Sequence, residues 1–261
     1  MPLLVYIFVA GLGLILGSFL NALLFRFNTG RSVLKGRSAC MRCGHELSSL
    51  DLVPLLSYLF LRGKCRYCRA RISWQYPAVE AMAAVLAVFA YLQNPEPLWF
   101  LYWFGVWLVL LFIVVYDLRH QIIPWSATLV LMALALGGAL LGFFSQSAIV
   151  GESMGYWGLL VGPILAGPLL LISLVSRGRW MGWGDGILEL SLGWLLGLTA
   201  GFTALLIAFW SGALIGIALL LVFKNRYTMS SEVPFAPFLI LGAATAYFFH
   251  ADFFQSLTLL L

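Results

Sequence analysis

The chain has 261 residues, of which 62% are hydrophobic and only 10% are charged. A soluble domain carries about 25% charged residues, so this composition excludes an ordinary soluble protein. The mean hydropathy of +1.00 and several apolar runs of bilayer length indicate a polytopic helical membrane protein. The net charge of +5 does not by itself predict nucleic-acid binding, because basic residues also orient membrane proteins.

Eight apolar segments predict transmembrane helices, with ends placed to within a few residues. They are 3–25, 77–93, 98–116, 125–144, 156–175, 185–200, 202–223 and 235–254. The first segment lacks a basic n-region and a small-residue cleavage site, so we expect a retained helix rather than a signal peptide. The predicted fold class is an all-α polytopic membrane protein in which residues 1–261 form a single domain.

The 15 Lys and Arg residues fall in four regions that lie on one face of an eight-helix arrangement. Ten of them lie in 26–71, and the others are Arg119, Arg177, Arg179, Lys224 and Arg226. The loops of the opposite face, 94–97, 145–155 and around 201, contain none. The positive-inside rule therefore predicts cytoplasmic basic loops and both termini on the other side of the membrane.

The one long connection, residues 26–76, contains all four cysteines as two C-x-x-C pairs, Cys40 with Cys43 and Cys65 with Cys68. This spacing is typical of a tetrahedral four-cysteine zinc site. The alternative is two disulfides or four incidental thiols, but disulfides do not persist in a cytoplasmic loop. Four protein ligands leave no open position, so we expect the zinc to be structural. His45 is a less suitable ligand because the cysteines already complete the set.

The basic residues around these cysteines have two explanations. A zinc ribbon can bind nucleic acid, but cations beside a membrane are more commonly attracted to anionic lipid headgroups. We therefore expect membrane lipids and no nucleic acid among the partners.

Asp185 is the most informative single residue, because a charged carboxylate inside a membrane costs about 3 kcal/mol on insertion scales. It follows Gly182, Trp183 and Gly184 and precedes Gly186, where a basic turn enters the sixth apolar segment. We interpret the surrounding glycines as leaving room for a substrate backbone. The alternative is a helix-start residue that the helix dipole favours.

Asp117 is the acidic residue best placed to pair with Asp185, since both lie at the cytoplasmic end of a predicted helix. Two neighbouring carboxylates in a partly dry site do not both ionise easily. The ionised one can take a proton from water while the protonated one polarises a peptide carbonyl, as in an aspartyl protease. The alternative for Asp117 is a helix-end residue paired with Arg119 or His120.

The other acidic residues are placed less suitably for this pairing. Three belong to the opposite side of the membrane, namely Glu96, Glu152 and Asp252. Three others belong to loops, namely Glu46, Asp51 and Glu232. Glu80 and Glu189 are embedded near the starts of the second and sixth segments. Glu189 lies one turn past Asp185 and either lines the same cavity or pairs with a neighbouring helix.

These motifs together resemble the bacterial prepilin peptidases, the membrane aspartyl proteases of type IV pilus and type II secretion systems. The similar segments, which cover most of the chain, are 17–21, 51–58, 63–68, 72–73, 76–80, 117 with 123–124, 182–185 and 233–238. Asp117 and Gly182-x-Gly184-Asp185 correspond to the two catalytic motifs, the second shared with presenilin-like proteases. Glu80 belongs to a segment similar to the family's loop region.

The resemblance implies removal of a basic leader from prepilins or pseudopilins, after a Gly, on the cytoplasmic face of the inner membrane. Both termini would then be periplasmic. Members with the cysteine loop usually also N-methylate the new amino terminus with S-adenosylmethionine, an activity implied here by resemblance alone. The oligomeric state is not predicted.

The chain departs from the family's pattern at three positions, where Ile187 replaces a frequent Lys, Trp125 an acidic residue and Ala236 a Gly. None removes a catalytic carboxylate.

Two other classes of function remain open from the residues alone. One is an ion- or proton-coupled transporter that uses the embedded aspartates. The other is a zinc-ribbon scaffold in which both aspartates are dispensable.

Overall fold

The computed structural model describes residues 2–30, 32, 36–145, 156–222 and 233–253. Within these ranges the secondary structure is helical. The β-structure there consists of two isolated β-bridges, and no extended strand is present in the described residues. Some residues of the sequence analysis lie outside the described ranges. They are most of the predicted loop 145–155, the cations Lys224 and Arg226, and the acidic residues Glu152 and Glu232.

Eight α-helices are present in the described part of the chain, and all except α2 correspond to predicted apolar segments. They are α1 Pro2–Arg26, α2 Leu56–Phe60, α3 Gln75–Gln93, α4 Pro97–His120, α5 Trp125–Ser145, α6 Tyr156–Ser176, α7 Trp183–Val222 and α8 Ala236–Phe248. A 3₁₀ helix covers Ser49–Leu52. Five of these helices, α1, α3, α4, α6 and α7, are long and apolar enough to cross a membrane. The predicted all-α membrane class is confirmed.

Helix α7 combines the sixth and seventh predicted segments, and the break between them lies at Gly197 rather than near 201. Gly197 has φ 81° and ψ −178°, a conformation that is essentially restricted to glycine. A straight helix of 40 residues would be about 60 Å long, twice the thickness of a bilayer core. A Cβ at Gly201 would instead lie 3.7 Å from the Cα of Gly193, so the chain folds back on itself at Gly197.

The helices form two compact units, Met1–Phe112 and Ile113–Leu261. In the first unit α1 packs along α3 through Gly13 and Gly17, which lie one turn apart. A Cβ at these positions would lie 2.6 Å from the Cα of Ala84 and 2.8 Å from the Cα of Glu80, respectively. Small residues of this spacing allow two membrane helices to approach closely.

In the second unit α7 packs against α5, α6 and α8. Gly193 meets Gly162 of α6, where a Cβ on Gly193 would lie 2.9 Å from the Gly162 Cα. Gly242 of α8 meets the backbone of Ala204 in the same way. The indole N–H of Trp194 donates to the Leu159 carbonyl at 2.9 Å. The centre of this unit is α7, whose first turn contains Asp185.

Candidate active site and metal centre

Asp117 lies in the last turn of α4 and its side chain is buried, with the residue 4% exposed. The helix ends soon afterwards because Gln121, with φ 54°, donates its N–H to the Asp117 carbonyl at 2.7 Å. Pro124 then precedes α5, and its carbonyl accepts hydrogen bonds from the N–H and the hydroxyl of Thr128. The Oδ2 atom of Asp117 has no hydrogen-bond partner among the described residues. A buried acceptor is therefore available for a ligand or water.

His120, one of the alternative partners of Asp117, stacks on Tyr116 in the last turns of α4, with ring centroids 4.4 Å apart.

Asp185 occupies the third position of α7, in its first turn, and is 9% exposed. Its carboxylate accepts a hydrogen bond from the backbone N–H of Gly182. This contact is half of a capping box, in which a side chain of the first turn satisfies the N–H before the helix. The positive end of the helix dipole also favours an acidic residue here. The hydrogen bond from Gly182 and the helix dipole therefore both stabilise the Asp185 side chain at this position.

The glycines around Asp185 are explained by helix packing. A Cβ at Gly184 would lie 3.0 Å from the Cβ of Ile123, which is in the turn between α4 and α5. A Cβ at Gly186 would overlap the side chain of Leu170 on α6. The interpretation that these two glycines leave room for a substrate is therefore wrong, because protein atoms already occupy that space. Gly182 differs, since a Cβ there would lie 3.4 Å from Asp185 Oδ2, an ordinary contact.

Asp117 and Asp185 are brought together in the second unit, where their carboxyl groups interact electrostatically. The contact of Gly184 with Ile123 joins the turn after Asp117 to the turn that bears Asp185. Two buried carboxyl groups in one site can share a proton, and this arrangement can act as acid and base on one substrate. The geometry is that of a candidate aspartyl dyad.

Glu189 lies one helical turn past Asp185 and is completely buried. Neither carboxylate oxygen has a hydrogen-bond partner among the residues the structure describes. A buried polar group of this kind costs about 1–3 kcal/mol, so it needs an explanation beyond stability. The predicted pairing of Glu189 with a neighbouring helix is not found in the described ranges.

Glu80 belongs to the first unit, where it fastens the loop 26–76 to α3. Its Oε2 atom accepts the backbone N–H of Leu55 at 2.9 Å, and Ser18 of α1 also hydrogen-bonds to it. Nearby, the Asn21 amide donates to the Tyr76 carbonyl at 3.0 Å. Sequence reasoning identified Glu80 as an embedded carboxylate but did not find these partners, since they lie far apart along the chain.

The two cysteine pairs form knuckles with the same hydrogen-bond pattern. In the first, Cys40 donates its N–H to His45 and accepts one from Gly44. The same bonds recur 25 residues later (65 minus 40), at Cys65 with Ala70 and Arg69. Gly44 and Arg69 both have positive φ, 70° and 59°. The structural repeat is hidden in the sequence because Arg69 takes the conformation that glycine supplies in the first knuckle.

The knuckles bring all four sulfur atoms, those of Cys40, Cys43, Cys65 and Cys68, within 4.8 Å of one another. Cys40 Sγ and Cys68 Sγ are 3.8 Å apart, and all four cysteines are free thiols. Sulfur atoms bound tetrahedrally at the usual Zn–S distance of about 2.3 Å would have nearly this separation. The donor set therefore fits a tetrahedral metal ion.

The thiols differ in acidity. Backbone N–H groups of Cys43 and Arg42 lower the pKa of Cys40 to about 6. The Ala70 N–H lowers the pKa of Cys68, but burial and the neighbouring thiols outweigh it and raise that pKa to about 11. Four sulfurs so close together do not all ionise unless a cation compensates their charge.

Contacts between side chains reinforce the knuckles. The Asp51 carboxylate accepts hydrogen bonds from Arg66 Nε at 2.6 Å, from Tyr67, and from the N–H and hydroxyl of Ser48. Burial raises the pKa of Asp51, but the bonds from Arg66 and Ser48 outweigh it and leave the pKa below its usual value. The His45 ring lies on Tyr67, with centroids 3.7 Å apart, and so connects the two knuckles. No sequence motif indicated this network.

Comparison with protein families divides the chain in two. Residues 12–94 match the bacterial peptidase A24 N-terminal domain, and this match contains the second half of α1, the cysteine loop and α3. Residues 103–217 match the type IV leader peptidase family, and this match contains Asp117, Asp185 and Glu189.

Individual relatives agree with these matches. A prepilin leader peptidase/N-methyltransferase of Burkholderia pseudomallei (strain 1026b) is 33% identical over 95% of this chain and 86% of its own length. A protein of the same description from Aeromonas hydrophila is 35% identical over 79% of this chain and 69% of its own length. One from Bacillus subtilis (strain 168) is 31% identical over 91% of this chain and 91% of its own length. No solved structure is significantly similar to the chain.

Proposed function

Because this chain belongs to the type IV leader peptidase family, we propose that Asp117 and Asp185 are the catalytic pair of a membrane leader peptidase. The observation that carries the proposal is the interaction of these two buried carboxyl groups at the start of α7 and the end of α4. Their segment lies inside the family match, and relatives named prepilin leader peptidases cover most of the chain.

The reaction is hydrolysis of one peptide bond without a covalent intermediate. The ionised aspartate takes a proton from water, and the water oxygen attacks the carbonyl carbon. The protonated aspartate donates a hydrogen bond to the carbonyl oxygen and stabilises the negative charge that develops there. The C–N bond then breaks as the leaving nitrogen receives a proton from the dyad. Burial of the pair keeps bulk water from competing for these hydrogen bonds.

The substrate is a prepilin or pseudopilin, cut after a Gly between a basic leader and an apolar helix. The names of the relatives and the family resemblance support this substrate class. The embedded position of the dyad suits a bond next to a membrane helix. We place the dyad on the cytoplasmic face of the inner membrane, with both termini periplasmic, on the distribution of basic residues.

The enzyme is bifunctional and also N-methylates the new amino terminus. The relatives carry both activities in their names, and the match to the family's N-terminal domain contains the cysteine loop. The methyl donor would be S-adenosylmethionine, which supplies an electrophilic methyl group to the neutral amine. We assign no residue of the chain to the donor.

The loop 26–76 binds structural zinc through Cys40, Cys43, Cys65 and Cys68, as an insertion in one peptidase domain that covers 1–261. The support is the fit of four sulfurs within 4.8 Å to a tetrahedral ion. Glu80 supports the site by holding this loop on α3. The residues that support the dyad are Gly182, immediately before α7, and Gly184 and Glu189 in its first two turns.

Co-expression with a prepilin tests the dyad directly. The amino terminus of the prepilin is read by mass spectrometry for the wild type, for Asp117→Asn and for Asp185→Asn. Glu96→Gln serves as the control, because this acidic residue is exposed just before α4. We expect leader removal by the wild type and the control only. Complete removal by either aspartate variant would show that the dyad assignment is wrong, and a product without the mass of one methyl group would refute the second activity.

A further inference from the structure

The cysteine loop carries an exposed apolar surface that neither the peptidase nor the metal site explains. The most exposed apolar side chains of the 3₁₀ helix and α2 are called the loop patch here. They are Leu50, Leu52, Leu56, Leu59 and Phe60. They are 68%, 40%, 53%, 67% and 83% exposed. The two short helices contact each other, which brings these side chains into one region of the loop. Exposed apolar surface concentrated in this way marks a contact with protein or membrane.

The loop patch is attached to α3, near the end of that helix that packs beside the end of α1. The N–H of Leu55, immediately before α2, binds the Glu80 carboxylate in the second turn of α3. Glu80 is the sixth residue of α3, about 7.5 Å from the start of the helix. Tyr76 stacks on Phe25 at the end of α1, with centroids 4.9 Å apart. Since α1 and α3 are long and apolar enough to span a membrane, this contact holds the start of α2 at the level where we expect the two helices to leave the apolar core.

Charges and an aromatic residue beside the loop patch suit the same environment. Arg62 and Lys64 follow α2 directly, are exposed, and form no ion pair with another described residue. Trp74, which precedes α3, is 75% exposed. Tryptophan is enriched at the level of the headgroups, and each Lys or Arg near an anionic membrane surface adds attraction.

We propose that the loop patch inserts into the interfacial layer of an anionic membrane. Its apolar side chains lie among the outer acyl carbons, and Arg62 and Lys64 contact anionic headgroups. This insertion fixes the cysteine loop against the bilayer at a defined height. Short amphipathic elements bind membranes in this manner, with apolar burial and electrostatic attraction acting together.

The experiment uses the full-length protein reconstituted in nanodiscs of phosphatidylcholine, alone or mixed with phosphatidylglycerol. A phospholipid with a diazirine near the glycerol end of its acyl chain is irradiated, and the labelled peptides are identified by mass spectrometry. The internal control is the first-knuckle peptide, since Met41 is 71% exposed but lies outside the two short helices that carry the loop patch. We expect several-fold more labelling of the loop patch than of this peptide. Equal labelling of the two would overturn the proposal.

Two variants separate the apolar and the electrostatic contributions. Leu59→Ser combined with Phe60→Ser should reduce patch labelling to the level of the first knuckle, while the bound metal stays unchanged. Arg62→Gln combined with Lys64→Gln should remove the increase caused by phosphatidylglycerol and keep the labelling in phosphatidylcholine. If a second copy of the chain covers the patch, its amides will be protected in detergent in a concentration-dependent way and the lipid probe will not label it, which would also refute the proposal.

Discussion

Gly184 packs directly on Ile123, so that a Cβ at position 184 would lie 3.0 Å from the Ile123 Cβ. This contact holds the first turn of α7 against the turn that follows Asp117. A methyl group at position 184 would press on Ile123 and push these two turns apart. The G-x-G-D motif is therefore a packing motif as well as the place of a proposed catalytic aspartate.

Substitution of Gly184 by alanine should reduce peptidase activity because the added methyl group separates the two turns. Overpacking of this kind costs about 1–3 kcal/mol, and displacement by about 1 Å can lower a rate by about 100-fold. The kcat for a prepilin peptide measures the effect. A second substitution, Ile123→Ala, should restore part of the activity by making room for the methyl group. Full activity of Gly184→Ala alone would contradict this explanation.

Gly197→Ala should destabilise the second unit, because φ 81° with ψ −178° is strained for any residue with a Cβ. The expected loss is about 1–3 kcal/mol in the free energy of unfolding. Thermal unfolding in detergent measures it. Gly216→Ala in the same helix is the matched control, since a Cβ there meets no atom within 4 Å and the φ is ordinary. An equal effect of both substitutions would show that the break at Gly197 has no special cost.

Glu189→Leu should raise thermal stability while lowering peptidase activity. Removal of a buried carboxyl group without hydrogen-bond partners among the described residues saves about 1–3 kcal/mol. If Glu189 supports the dyad, the stabilised protein will nevertheless cleave more slowly. Glu189→Gln preserves the shape and polarity, and we expect it to retain more activity than the leucine variant. A leucine variant that is both more stable and fully active would exclude a role in catalysis.

Metal content should depend on the cysteines and not on His45. Elemental analysis of the purified wild type should find zinc, and Cys65→Ser should lower it to background because one of four ligands is lost. His45→Ala should retain the zinc, since the His45 ring stacks on Tyr67. Loss of zinc in His45→Ala would instead identify His45 as a ligand.

Asp51 should stabilise the cysteine loop in a pH-dependent way. Its pKa in the folded loop is below the ordinary 3.8. The stabilisation is therefore fully present above pH 3.8 and is lost as the pH falls through the folded pKa. Hydrogen exchange of the loop in the wild type and in Asp51→Asn measures it. The difference between the two should be constant near neutral pH and should disappear in acid, and a difference that grows in acid would contradict this sign.

The helix boundaries were predictable because a bilayer imposes a length and a composition on each span locally. Predicted segments and helices agree closely for α1, α3, α5 and α6. The position of the break within α7 was not predictable, since Gly197 and Gly201 are equally good candidates in the sequence. In the folded protein the break is at Gly197, and a Cβ at Gly201 would meet Leu165 of α6, a neighbour that the sequence does not reveal.

The sequence by itself determined the membrane class, most of the apolar helices, the cysteine cluster and the two aspartates worth considering. These follow from composition, from the run length that a bilayer requires and from the spacing of metal-binding motifs. The tertiary structure alone decided that Gly184 and Gly186 face Ile123 and Leu170, and that Glu80 holds Leu55. It also decided that the carboxyl groups of Asp117 and Asp185 interact. The physical reason is that such contacts join residues far apart along the chain, whose meeting depends on how whole helices pack.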